Sequence, residues 1–401
     1  MSAGVERGGA AKRVLRGVLA LCVGGAIWLP CLHFFYARPA AEFHRREGLS
    51  PKAGQLAARH LRLWTEPELR QQELRKMRAS NAEWDFMGRS FLVWSLANMG
   101  LRQPTLKGTY LGVMDRIIHE TLRLEKQEGM HFFLMPYSRA RPYEVQPARS
   151  LFLDGEIALM LAARQALEAA PFYRAPLAQR VKLIVERMQQ SPVLAAESYP
   201  DECWTFDHAI AIAALKVADY AEGSDHAAFC RQWLDIARRR LLHPESGLLI
   251  SSYTRTGAPL DGPEGSTIWM VAHCLLLVDE RFARDQYQRA RNELGRTTLG
   301  FGYAREWPAS WMGPTDIDSG PIVPVLQISA GASGMALIGA AAFHDWDYLS
   351  CLAASLDMAA FPSRSQGGLR YCASNQVGDA AMLYAAVLGP LWEKVKAGRK
   401  P

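Results

Sequence analysis

Residues 207–242 read DHAIAIAALKVADYAEGSDHAAFCRQWLDIARRRLL, and the fold turns on how this stretch is read. From Asp207 to Ala221 small apolar residues occupy almost every side of the helical wheel, as in a helix with no face left for water. AEGSDH then interrupts the pattern for a few residues. FCRQWLDIARRRLL follows, charged on one face with an apolar stripe, the pattern of a surface helix. A buried helix, a short link and a half-buried helix make one unit of a two-layer structure.

The same alternation continues in both directions. FLVWSLANMG, GEIALMLAARQAL, TIWMVAHCLLLV and QISAGASGMALIGAAAF share the inner texture, whereas DRIIHETLRLEKQ, AQRVKLIVERMQQ and ERFARDQYQRARNEL share the outer one. Periodicity predicts helices over about 52–64, 66–79, 83–100, 106–127, 150–168, 175–191, 207–221, 225–242, 266–278, 281–297, 325–343, 345–357 and 377–389. Alternation of period two is nearly absent, which argues against a sheet architecture and for an all-α protein. About twelve helices in inner–outer pairs close naturally as an (α/α)6 barrel. Inner-to-outer links such as EAAPFYRA are short, while the outer-to-inner links 129–149, 192–206, 243–265, 298–324 and 358–376 are long. All the long links then emerge on one face, above the hollow of the inner ring, where sites usually lie.

Composition narrows the class. Half of the 401 residues are apolar, so there is ample core material. The formal charge of +6 is mild and sits largely in the N-terminal segment and the GRK tail, with Lys and Arg elsewhere mixed with Asp and Glu, unlike the clustered stripe of a nucleic-acid surface. Seven cysteines lack CxxC pairs or metal-like spacing, so neither a disulfide framework nor a zinc site is expected. Residues 1–16 read as a flexible basic segment, 17–37 (GVLALCVGGAIWLPCLHFFYA) as a transmembrane signal anchor, and 50–395 as the barrel domain. The expectation is a single-pass protein of the cell membrane, with the barrel on the periplasmic or extracytoplasmic side. Homo-oligomerisation stays open.

The long links bring the chemistry. ESYPDECWTFDH crowds Asp201, Glu202 and Asp207 with Trp204 and His208 at the start of a buried helix. Buried carboxylates cost several kcal/mol unless paired or protonated. Capping of the helix is the competing reading for Asp207. Glu156, on an apolar inner helix, is expected to face the hollow, since Asp154 points to another side. Its alternatives are proton sharing with another of these acids or an ion bridge to Arg139 or Arg141. Tyr253 and Asp318 are expected to position the reacting group. Trp204, His208, Tyr303, Trp307, Trp311 and Asp316 would bind substrate. DIDSG matches a calcium loop only in part, and neither metal nor cofactor is expected. GxSxG, P-loop, GxGxxG and HExxH motifs are all absent, which leaves carboxylate acid–base chemistry with aromatic walls.

ESYPDECWTFDHAIAIAAL, RQWLDIARRRLLHPESGLLISSYTRTGA, GSTIWMVAHCLLLVDERFARDQY and DIDSGPI, with LFLDGEIALMLAARQAL, resemble the linalool dehydratase-isomerase family over roughly 150–345. The resemblance implies an (α/α)6 barrel that moves water onto or off an alcohol, with Tyr253 at the family's active-site tyrosine. The family's active-site cysteines fall at Ser198 and Asp207, and its histidine near Glu156, so a site rebuilt from carboxylates is implied. The expected function is a membrane-anchored acid–base lyase or isomerase that hydrates, dehydrates or isomerises an alcohol or related small molecule. The alternatives are a carbohydrate-active barrel, hydrolase or epimerase, and a non-catalytic membrane-tethered binding module.

Overall fold

The computed structural model describes residues 3–315 and 319–398. It contains α1 (Ala3–Leu32), α2 (Pro51–Thr65), α3 (Pro67–Ser80), α4 (Ala82–Arg102), α5 (Lys107–Glu128), α6 (Leu151–Leu167), α7 (Pro171–Met188) and α8 (Thr205–Glu222). After these come α9 (Ala227–Arg240), α10 (Gly265–Leu275), α11 (Glu280–Glu293), α12 (Ala330–Phe343), α13 (Trp346–Ala359), α14 (Gln376–Val387) and α15 (Pro390–Lys396). Helices α4, α6, α8, α10, α12 and α14 touch in that order, and α14 returns to α4, so the six inner helices form a closed ring. Helices α5, α7, α9, α11 and α13 lie outside it, and α2 with α3, from the front of the chain, fill the place beside α14 and α4. This is the (α/α)6 barrel that the two helix textures predict.

Burial explains the textures. Every residue of α6 is buried, and α8 is buried from Thr205 to Leu215. Helix α9 buries only Cys230, Trp233, Leu234 and Ala237, one stripe at helical spacing. At the C-terminal ends of the inner helices α15 lies across the ring as a plug. Trp392 Nε1 donates to the His273 carbonyl at 3.0 Å, the Leu391 amide to Asn98 Oδ1 at 3.0 Å, and Lys394 Nζ to the Ala166 carbonyl at 2.9 Å. The long links gather at the opposite end, around the N-termini of the inner helices.

The sequence reading differs from the structure in the links. Short strands occupy them: β1 (Cys203–Trp204), β2 (Ser252–Tyr253), β3 (Pro259–Asp261), β4 (Gly295–Thr298), β5 (Phe301–Ala304), β6 (Ile322–Val323), β7 (Ile328–Ser329), β8 (Pro362–Ser365) and β9 (Gly368–Tyr371). They pair as β1-β2-β3, β4-β5-β7-β6 and β8-β9. At two to four residues each, they are too short for alternation to register. The predicted helices 281–297 and 325–343 therefore run into β4 and β7, and α15 is missed. At the front, Ala11–Phe35 is long and apolar enough to cross a membrane, and Leu21, Ile27 and Trp28 on it are exposed.

Helices α6 and α8 cross closely at Gly155, where a Cβ would stand 3.3 Å from the Asp207 carbonyl and from Ala211. Gly155→Leu is expected to destabilise the protein by about 1–3 kcal/mol in urea unfolding. Gly112→Ala on outer helix α5, where a Cβ meets nothing within 4 Å, is expected to stabilise it by roughly 0.5–1 kcal/mol. Equal responses at the two positions would contradict the close α6–α8 crossing.

Candidate active site

A cavity of about 500 Å³ occupies the open end of the ring. All six inner helices contribute to it close to their N-termini, including Glu83 from α4, Phe152 from α6, Asp207 from α8 and Thr267 from α10. Among the described residues three carboxylates line it: Glu83, Asp207 and Glu264. Trp84, Phe91, Tyr137, Tyr199, Trp204 and Phe206 supply aromatic wall. Among the described residues no lysine, arginine or histidine lines it.

Asp207 is the third residue of α8, and Trp204 holds the cap position without a side-chain bond, so Asp207 is not the N-cap. Burial, with the nearby charge of Glu83 adding to it and Ser198 working the other way, pushes the Asp207 carboxyl up to about 8. Glu156, on α6, is fully buried and is not among the residues that line the cavity. Ser90 lies near it but donates to the Phe86 carbonyl at 3.2 Å, and neither Glu156 oxygen has a hydrogen-bond partner among the described residues. Burial holds Glu156 well above the carboxylate range, and the charges of Asp207 and Glu83 push the same way. Asp154 indeed turns outward, to Arg149 and Arg180. Glu83 accepts a short hydrogen bond from the Tyr199 hydroxyl, which itself accepts from the Met135 amide at 2.9 Å. Tyr137 stacks on Tyr199 with ring centroids 4.4 Å apart.

Other predicted residues lie elsewhere. Asp201 and Glu202 stand outside the cavity lining, 3.8 and 3.9 Å from the Arg141 guanidinium, so Arg141 pairs with them and not with Glu156. Tyr253 is fully buried and packs on His208 at 5.6 Å, away from the cavity lining. His208 accepts from the Ala196 amide at 3.0 Å and its other nitrogen donates to the Trp204 carbonyl at 2.7 Å. Burial lowers it to about 4, so it is a neutral brace between the link and α8. The Tyr303 hydroxyl meets Thr298 Oγ1 at 3.2 Å within the β4–β5 hairpin. Trp311 donates to the Pro314 carbonyl at 2.8 Å and packs edge-on against His243, and neither it nor Trp307 lines the cavity. Asp316 and Asp318 lie outside the described residues.

Two buried acids that sequence reading passed over are structural. Glu197 accepts from the amides of Glu144, Val145 and Asp201 at 2.9–3.2 Å and knits two links together. Glu306 accepts from the Ser266 amide and hydroxyl at 2.9 and 2.5 Å and from Ser329, tying α10 to α12. Glu83 is the functional candidate that was missed. The signal available was Asn81, whose Oδ1 accepts from the Glu83 amide at 2.8 Å, capping a helix buried almost throughout.

No family model matches the chain. Among solved structures, it is similar to a family 76 α-1,6-mannanase from a Salegentibacter species, with a TM-score of 0.53 and 10% identity over 83% of this chain and 98% of that one. A family 76 α-mannanase from Bacteroides thetaiotaomicron gives 0.49 and 11% identity over 75% and 85%. A family 105 glycoside hydrolase from C. acetobutylicum gives 0.46 and 13% over 83% and 99%. The first likeness shows a shared fold. These findings correct the resemblance to the linalool dehydratase-isomerase family and, with it, the lyase or isomerase reading. The matching passages run through inner and outer helices and their links, so they carry the barrel rather than a substrate.

An acid whose folded-state pKa is raised holds a proton that the unfolded chain has already lost. Its contribution to stability is therefore greatest below about pH 4 and declines as pH rises towards about 8. Asp207→Asn cannot ionise, so its unfolding free energy is expected to vary less across that window and to equal or exceed that of wild type at the upper end. An Asn variant that loses stability more steeply on the alkaline side would refute the burial of a neutral Asp207.

Proposed function

We propose that this protein is a carbohydrate-active enzyme, a glycoside hydrolase acting on neutral glycans. In this reading the barrel, residues 50–395, is tethered by residues 17–37 on the extracytoplasmic side of a membrane. The observation that carries it is the aromatic-walled cavity of about 500 Å³ lined by Asp207 and Glu83 and closed below by α15. That volume is within the roughly 300–1,000 Å³ of small-molecule sites. The α-1,6-mannanase that shares the fold makes a glycan a natural first substrate to try.

Hydrolysis of a glycosidic bond needs one carboxylic acid to protonate the leaving oxygen and a second carboxylate on the other side of the sugar ring. Asp207, neutral up to about pH 8, takes the first role. Glu83, aimed by the Tyr199 hydroxyl, takes the second, as base or nucleophile. Glu156 is buried near Asp207. The Asp207 proton is held by burial and by the charge of Glu83, and a charge on Asp207 would push the already raised Glu156 carboxyl further up. Trp84, Tyr137 and Trp204 offer flat faces for pyranose rings. A uronate or sulfated sugar would bring a negative charge to a cavity that already holds three carboxylates and, among the described residues, no lining cation. Neutral hexoses meet no such cost.

Assays with neutral manno- and gluco-oligosaccharides, α-1,6-linked mannan included, and with uronate-bearing oligosaccharides test this. Turnover is expected on a neutral glycan, with kcat falling above about pH 8 as Asp207 loses its proton. Asp207→Asn and Glu83→Gln should each lower kcat by about 10²–10⁴ with little change in KM. Release of product from uronates alone, or full turnover by Asp207→Asn, would overturn the assignment.

A further inference from the structure

The β4–β5 hairpin has an unusual tip. Its two-residue turn is Leu299-Gly300, with φ of 50° and 82°. Turns of this kind favour Asn-Gly, because an L-residue with a β-carbon is strained in the left-handed region. The leucine there is also 47% exposed and follows the exposed Thr297 and Thr298. Gly300 has a packing reason, because a Cβ there would strike the His33 ring.

His33 lies where the apolar run of Ala11–Phe35 ends. Its ring packs edge-on against Phe301 at 6.4 Å, and Tyr36 lies 6.2 Å from the same ring. The hairpin tip is thus fastened to the end of the candidate spanning segment. Phe34 and Phe35 beside it are 67% and 64% exposed. Arg38, Arg45 and Arg46 follow, also exposed, and outnumber Glu42 and Glu47 over the same stretch. Apolar and aromatic side chains at the end of a span, followed by arginines, form the usual sequence of a bilayer edge: acyl chains, interface, headgroup phosphates.

We propose that the β4–β5 hairpin tip is a second membrane contact, with Leu299 entering the bilayer interface beside Phe34 and Phe35. The inference rests on the reading of residues 17–37 as a membrane anchor. A single span leaves a tethered barrel free to swivel. A second apolar contact, in the same four-stranded sheet as the strands next to Gly320 and Pro321 of the cavity rim, restrains that motion and fixes how the open end sits relative to the lipid surface.

The test uses the full chain in vesicles of phosphatidylcholine and phosphatidylglycerol, with the accessible cysteines Cys22, Cys31, Cys351 and Cys372 changed to alanine. A nitroxide is placed by Leu299→Cys, by Val18→Cys within the span and by Lys182→Cys on α7, away from the α12–α13 side that carries the hairpin. Collision with oxygen is compared with collision with a water-soluble nickel chelate. The expected result is oxygen accessibility several-fold above nickel accessibility at 299 and 18, and the reverse at 182. A label at 299 that behaves like 182 while 18 is in lipid overturns the second contact and leaves the anchor standing. A water-exposed label at 18, or a chain found cleaved after the apolar run, removes the anchor and the inference together. Glycan turnover by the same preparations reports separately on the hydrolase assignment.

Discussion

The barrel depends on one seam, between its first and last inner helices. Helices α4 and α14 are some three hundred residues apart in the chain and must meet for the ring to close. A Cβ at Gly88 would stand 3.8 Å from the Val377 backbone. Arg102 donates to the Leu388 carbonyl at 2.9 Å, and the Leu391 amide to Asn98, so the chain's last turns lock onto the end of α4. The seam also makes the site. Asn81 and Glu83 reach the cavity from one side of it, and Asn375 and Val377 from the other. The cavity therefore exists only in the closed ring, and loss of the seam would cost function and fold together.

Placing acids at helix N-termini sets two effects against each other. The helix dipole favours a negative charge there by at most about 2 kcal/mol. Burial works the other way, and the rise of Asp207 from 3.8 to about 8 corresponds to roughly 6 kcal/mol against ionisation. Burial wins, and Asp207 stays protonated near neutrality. Glu156 lies on the neighbouring helix, wholly enclosed and without a hydrogen-bond partner among the described residues, so the same balance tips further. The Gly155 crossing lets α6 and α8 approach closely enough for these two acids to sense one another.

Much of the scaffold was legible in the sequence because its physical cause is local. Inner and outer helices differ in how many sides are apolar, and link lengths alone show which end is open. That Asp207 and Trp204 stand at the mouth of the ring was legible for the same reason, since they are polar and aromatic groups at the threshold of α8. Glu83 was not, since an acid in a first turn after Asn81 looks like ordinary dipole compensation. Tyr253 and His208 misled in the opposite sense. Their residue types suit chemistry, yet one is core and the other braces a link, and only three-dimensional packing separates those roles. The linalool dehydratase-isomerase resemblance failed where it read substrate from passages that mostly encode barrel.

Hydrolysis at this site requires that Asp207 and Glu83 flank the bond to be broken. A structure of Asp207→Asn with a neutral oligosaccharide bound tests it most directly. The expected result is a glycosidic oxygen within hydrogen-bonding distance of residue 207, with Glu83 on the opposite side of the adjoining ring and a sugar face against Trp84, Tyr137 or Trp204. An oligosaccharide bound among the outer links, with residues 83 and 207 facing only solvent, would contradict it.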